Sequence, residues 1–125
     1  INEVDNDECP RECHARATND AFVLSRIQLT NAFFRKTSFQ GALFDEAIMD
    51  GSDFRCAFLD GSKIKLTFEK SSLIRANFRG TCARDVFFGS VNFDSAQILG
   101  MICMNCVFEG ATMSHAHLNK VYAYR

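Results

Sequence analysis

The residues of this 125-residue chain that could do chemistry are few, and most are cysteines and histidines. Cys103-Met-Asn-Cys106 is a CxxC, a spacing that elsewhere holds zinc or cycles between dithiol and disulfide. Cys9, Cys13 and His14 stand together near the start and offer three soft ligands, one short of the set a structural zinc takes. His115 and His117 lie near the other end with no carboxylate or cysteine beside them to complete a site. Asp45, Glu46, Asp50, Asp53 and Asp60 cluster along the chain, as paired carboxylates for acid–base work would. No Ser/His/Asp order and no phosphate-cradling glycine loop stands above this background. Whether any of these residues converge depends on the elements that carry them.

Composition bounds those elements. With 47% hydrophobic and 23% charged residues the chain has a globular balance, and its length suits one domain. No run approaches the eighteen or so apolar residues of a membrane span. One proline, no tryptophan and 13 phenylalanines make an unusual mixture that calls for an explanation. Charge is uneven: residues 1–20 carry two Lys/Arg against six Asp/Glu, whereas residues 21–125 carry twelve against nine.

Helical spacing fails beyond residue 20, and strict strand alternation fails as well. A step of five fits. Large apolar residues recur at Leu24, Leu29, Phe34, Phe39, Phe44, Met49, Phe54, Leu59 and Ile64. After a step of four the series continues through Phe68, Leu73, Phe78, Ala83, Phe88, Phe93, Ile98, Cys103, Phe108, Met113 and Leu118. Two residues ahead of many of these sits a small one, such as Ala32, Ala42, Ala47, Ser52, Ala57, Ser62, Ser71, Ala76 and Ala96. Fixed-period self-similarity marks a repeat architecture.

The unit resembles that of the pentapeptide-repeat family: a small residue, Asn or Asp, Leu or Phe, then two polar residues. Ser52-Asp53-Phe54-Arg55-Cys56 and Ala76-Asn77-Phe78-Arg79-Gly80 match it closely, and the resemblance runs over roughly residues 21–120. It implies an all-β fold, a right-handed quadrilateral parallel β-helix (a solenoid) with four pentapeptides per coil, here about five coils. Gly41, Gly61, Gly80 and Gly100, at intervals of 20, 19 and 20 residues, suggest one corner repeating at coil spacing. The frame stacks Met49, Phe68, Phe88 and Phe108 on one side and Phe34, Phe54, Leu73 and Phe93 on the next. One column thins to Ala83 and Cys103, where Thr81 and Met101 at the usually small position refill the space. Residues 1–20 leave the repeat; Pro10 and the run to Ala17 predict a short helix forming an N-terminal cap ahead of the β-helix at 21–125.

In this frame Cys103 and Cys106 both point inward, as small hydrophobes. Cys9 and Cys13 are candidates for a disulfide that tightens the cap in an oxidising compartment, and Cys56 and Cys82 point outward, too far out of register to pair with each other. The acidic residues spread over several faces. The outward position ahead of each central residue is apolar on two adjacent faces: Val23, Leu43, Cys82, Ile102 and Tyr122 on one, extended by Met104 and Tyr124, and Ile48, Phe87 and Val107 on its neighbour. Such a strip marks an interaction surface for a protein partner or a second copy. The function expected is a non-catalytic interaction or scaffold module, with no enzyme activity, cofactor, metal, nucleic acid or small-molecule substrate. The alternative the resemblance offers is a DNA mimic that inhibits a type II topoisomerase, and the net positive charge of residues 21–125 opposes it. A start at Ile1 and a two-cysteine cap favour an exported, oxidising site, thylakoid lumen or periplasm, over cytoplasm.

Overall fold

A computed structural model describes Cys9, residues 22–118 and residues 121–124. The chain turns at every fifth residue. From Arg26 to His115, apart from one break after Cys56, each fifth residue adopts a left-handed backbone, with φ between 54° and 83°. At most of these corners an i to i+3 hydrogen bond closes the turn, as from Ala32 N–H to the Leu29 carbonyl (3.2 Å) and from Ser52 N–H to that of Met49 (3.1 Å). That bond, with a left-handed third residue, is the signature of a type II turn. The Asn or Asp ahead of the central residue serves the same corner. Asp53 Oδ1 accepts the Arg55 N–H at 3.0 Å, Asn77 Oδ1 that of Arg79 at 3.0 Å, and Asn92 Oδ1 that of Asp94 at 2.9 Å.

Four such corners make one coil, and successive coils pair in parallel. One side is the sheet of β1 (Phe22–Val23), β3 (Ala42–Leu43), β5 (Leu66–Thr67) and β7 (Val86–Phe87). The side before it is the sheet of β2 (Ser38–Gln40), β4 (Phe58–Asp60), β6 (Cys82–Arg84), β8 (Ile102–Met104) and β9 (Tyr122–Tyr124). Single bridges hold the other two sides, along Gln28, Ile48, Ser72, Asn92 and Thr112, and along Phe33, Asp53, Asn77, Gln97 and His117. The result is an all-β parallel solenoid with four sides, and the described residues contain no helix. The five rungs of the larger sheet enclose four complete turns, close to the expected five coils. The predicted helical cap lies, except for Cys9, outside the described residues.

The phenylalanine surplus goes into two ladders that fill the interior. Phe44, Phe68, Phe88 and Phe108 stack ring on ring at 4.8, 5.2 and 5.0 Å, with interplanar angles of 15°, 17° and 9°. Phe34, Phe54 and Phe78 form the second stack, with both spacings 4.8 Å. The two ladders meet edge to face, as Phe54 does Phe68 (5.8 Å, 79°) and Phe78 does Phe88 (6.2 Å, 85°). Stacked and edge-on rings are the two favourable arrangements of the aromatic quadrupole.

Three sequence expectations need correcting, all for one reason. The break in the period is an insertion, not a deletion: Phe39 pairs with Leu59 across 20 residues, but Leu59 pairs with Ala83 across 24. Residues 61–65 form a loop at one corner, and Ile64, taken as an inward residue because it kept the step of five, is 36% exposed on it; Ser62 is exposed as well. The ladders are therefore shifted one place against the expected columns: Phe44, not Met49, stands over Phe68, and Phe78, not Leu73, follows Phe54. The glycine column dissolves too. Gly41 and Gly61 sit at the corner between the two sheets, whereas Gly80 lies beside Gly100 at the corner before β6 and β8. The thinned column does run Phe39, Leu59, Ala83, Cys103, and Thr81 and Met101 beside it are fully buried.

The small inward position carries a polar cost. Thr81 Oγ1 reaches the Phe54 carbonyl at 2.7 Å, but the buried hydroxyls of Ser52 and Ser71 have no hydrogen-bond partner. Ser71→Ala should therefore raise stability, by about 1 kcal/mol, because alanine fills the same space without a stranded hydroxyl. Phe68→Ala, which empties a ladder rung that is fully buried, should cost about 3–5 kcal/mol. Phe33→Ser, at a residue 86% exposed, should stay within about 0.5 kcal/mol. Urea midpoints of the three variants check this, and equal losses at Phe33 and Phe68 would contradict the assignment of inside and outside.

Candidate partner-binding face

On the side built from β1, β3, β5 and β7, the residue after each of the buried Ala42, Leu66 and Val86 points out. Backbone register stacks these outward residues as Val23, Leu43, Thr67 and Phe87, and a bridge extends the column to Val107. Val23 is 72% exposed and Val107 39%, while Leu43 and Phe87 are half-buried. The Phe87 ring lies over Gly89, spread along the surface. Thr67 is buried between its apolar neighbours, with its Oγ1 accepting the Glu69 N–H at 3.1 Å. The insertion loop adds Ile64 at the corner leading into this side. Its Cβ occupies the place a Gly41 side chain would take, so only glycine at 41 lets the loop close there.

The predicted strip is thus regrouped. Val23 and Leu43 share their face with Phe87 and Val107, which the sequence frame had put on the neighbouring one. Ile102 and Met104 are half-buried on the adjoining sheet, in register with Tyr122 and Tyr124 of β9. Ile48, 41% exposed, stands on the side beyond the opposite corner, between Gln28 and Ser72. Ile64 was missed. Its one signal was that it fell at the irregular step of the series.

The adjoining sheet is different outside. Phe58, Asp60 and Cys82 face outward from β4 and β6 yet are buried, at 7%, 6% and 8% exposure. Cys9 is anchored at this flank. It is disulfide-bonded to Cys56, and not to Cys13 as expected; Cys13 itself lies outside the described residues. The expectation failed because proximity in sequence is weaker than proximity across coils: Cys56 sits at a corner two residues before Phe58, where Cys9 reaches it. Gly80, with φ +69°, leaves the space beside Cys56 that the Cys9 sulfur fills. Cys82 is also disulfide-bonded.

The remaining chemical candidates do not converge. His115 and His117 are exposed on separate positions of the last described coil. Among the described residues no group of three or more His, Cys, Asp or Glu is placed to hold a metal ion. No helix among them is long and apolar enough to cross a membrane. Of the acidic cluster, Asp53 holds a shielded ion pair: Arg55 grips both carboxylate oxygens, Nε to Oδ1 at 2.9 Å and an Nη to Oδ2 at 2.7 Å. Burial pushes the Asp53 carboxyl up, but the Arg55 hydrogen bonds and the Arg55 and Arg35 charges together outweigh it and hold it below the ordinary aspartate value. Asp50 and Asp45 instead tie coils together, accepting the Ser72 and Ser25 hydroxyls at 2.5 and 2.6 Å.

A family model for pentapeptide repeats matches residues 23–63 in eight copies, ending inside the insertion loop. Among solved structures the chain is similar to Rfr23, a pentapeptide repeat protein from the cyanobacterium Cyanothece 51142, with 13% identity over 81% of this chain and 83% of that one and a TM-score of 0.45. It is also similar to HetL, a pentapeptide repeat protein involved in heterocyst differentiation regulation from the cyanobacterium Nostoc sp. strain PCC 7120. There the identity is 17%, the coverage 77% of this chain and 57% of that one, and the TM-score 0.31. QnrB1, a plasmid-mediated fluoroquinolone resistance protein, is 15% identical over 82% of this chain and 74% of its own, with a TM-score of 0.32. No curated protein matches the sequence.

The Asp53–Arg55 pair gives the fold an acid-sensitive element. A carboxyl held low in the folded state contributes stability above its unfolded value, and that contribution is lost as pH falls through the folded one. Stability followed by urea titration should therefore drop below about pH 4 in the wild type. In Asp53→Asn the drop should be shallower; an unchanged acid limb would show that the pair is neutral to folding.

Proposed function

We propose that this chain, which belongs to the pentapeptide-repeat family, is a non-catalytic interaction or scaffold module that docks a protein partner or a second copy. One observation carries the reading: the outward column Val23, Leu43, Thr67, Phe87 and Val107, apolar except for the buried Thr67 and with Ile64 beside it, runs along one side without a charged residue in it. Outward positions on the side of Phe33, Asp53, Asn77, Gln97 and His117 are mostly polar, so the apolar column is not a general property of the coil exterior. A long flat strip of this kind suits an extended partner segment or a matching strip, because its rungs repeat at one fixed spacing of about 4.8 Å. Ile102 and Met104 would widen the surface at the adjoining sheet, where β9 continues their register with Tyr122 and Tyr124, and Ile48 lies beyond the other border.

Catalysis is the weaker reading, since the interior is filled by phenylalanine ladders and the titratable groups outside are dispersed. DNA mimicry is disfavoured by charge: an excess of Lys/Arg over Asp/Glu in residues 21–125 lacks the continuous negative field of a phosphate backbone. Disulfide-bonded Cys9, Cys56 and Cys82 support an oxidising compartment as the place of work.

The double variant Leu43→Glu with Phe87→Glu tests the face. Sedimentation and affinity capture from the native source should show association in the wild type and its loss in the variant, with circular dichroism unchanged. If the variant keeps the same partners and the same mass in solution as the wild type, this side is ordinary surface and the proposal fails.

A further inference from the structure

Two of the described cysteines are left out of the disulfides, and they lie side by side. Cys103 is the inward residue of β8, 2% exposed, next to Ala83 in its column. Cys106 follows across the corner made by Asn105 at φ 60°; it is half-buried and packs on the same core. Both side chains are inward neighbours across one corner and belong to the same core. Cys106 Sγ also lies 3.6 Å from the Ala83 carbonyl and 4.0 Å from that of Met104. The charged group that bears on it is Asp85, the corner residue one coil below, whose Oδ1 is held by Asn105 Nδ2 at 2.6 Å.

We propose that Cys103 and Cys106 are a thiol–disulfide exchange site, in which a small disulfide such as oxidised glutathione is attacked by Cys106 and the bond is then closed by Cys103. The arrangement divides the labour. Cys106 is half-buried where Cys103 is enclosed, so an incoming disulfide meets Cys106 first. In the first step the Cys106 thiolate bonds to one sulfur of the disulfide, the sulfur–sulfur bond breaks, and one glutathione thiolate leaves and takes a proton from water. In the second, Cys103 gives its proton to water as its sulfur bonds to that of Cys106, and the second glutathione leaves as a thiolate and is protonated. Two protein thiols are oxidised and one glutathione disulfide is reduced to two thiols.

The electrostatics agree with this order. The neighbouring Cys103 thiol holds the Cys106 thiol below its ordinary range against burial, helped by the Val86 and Met104 backbone and opposed by the Asp85 charge. The Cys103 thiol is pushed up, first by its interaction with Cys106 and then by burial. A low attacking thiol beside a high buried one is the usual asymmetry of an exchanging pair.

The protein exposed to oxidised glutathione, then blocked with N-ethylmaleimide in urea without reductant and digested, tests the site by mass spectrometry. In the wild type the peptide holding Cys103 and Cys106 should lose two hydrogens and take no label. Cys103→Ser should stop at a glutathione adduct on Cys106, and Cys106→Ser should carry none. Asp85→Asn, which removes the opposing charge at a corner asparagine accepts, should speed the adduct. Full labelling of both sulfurs in the wild type after exposure overturns the proposal whether or not the variants fold. An adduct on Cys103 in place of Cys106 overturns it as well.

Discussion

Every other feature depends on the hydrogen bonding of one coil to the next. Backbone groups on all four sides pair with the coil above or below, as Phe54 N–H does with the Asn77 carbonyl (2.8 Å) and Phe78 N–H with that of Gln97 (2.7 Å). This pairing fixes the vertical spacing, and a fixed spacing forces like positions into columns. A phenylalanine column at that spacing stacks its rings at 4.8–5.2 Å with no further adjustment. The corners obey the same constraint. Twelve of them place a non-glycine residue in the left-handed region, a conformation that costs about 1–2 kcal/mol in isolation and persists because the neighbouring coils over-determine it.

The local rule was legible in the sequence, and its phase was not. A step of five, with Asn or Asp ahead of a large apolar residue, follows from the corner chemistry of Asp53, Asn77 and Asn92, which is contained within a few residues. Which residues stack depends on the count over a whole coil, and the insertion within 61–65 stretched one coil from 20 residues to 24. Ile64 hid the insertion, because an exposed isoleucine at the right spacing looks like a core one. The glycine intervals then gave false support: Gly61 and Gly80 occupy different corners, and their separation of 19 residues mimicked a coil length.

The outward face was legible as a list and illegible as a surface. The identities of Val23, Leu43, Phe87 and Val107 were readable from their position ahead of each central residue, but their neighbours depended on the misplaced frame. Buried outward residues were beyond the reading altogether. Nothing in the repeat marks Phe58 or Cys82 as covered, and Cys9, which is bonded at that flank, lies outside the repeat. The Cys9–Cys56 bond could not be read from spacing for the same reason: it joins a residue with no period to one chosen by the coil geometry. Cys103 and Cys106 were readable as inward neighbours, since both sit within one corner.

Contacts in a solenoid otherwise join residues about one coil apart, so each coil can settle on its neighbour without waiting for distant chain. The Cys9–Cys56 bond spans 47 residues and breaks that habit. During synthesis or export from the N-terminus, Cys9 emerges first and has no proper partner until β2 and β3 are out and the corner at Cys56 has followed. For that interval it is an unprotected nucleophile, and its correct pairing is a matter of timing as much as of energy. The order in which the chain appears is thus written into the fold by a covalent link.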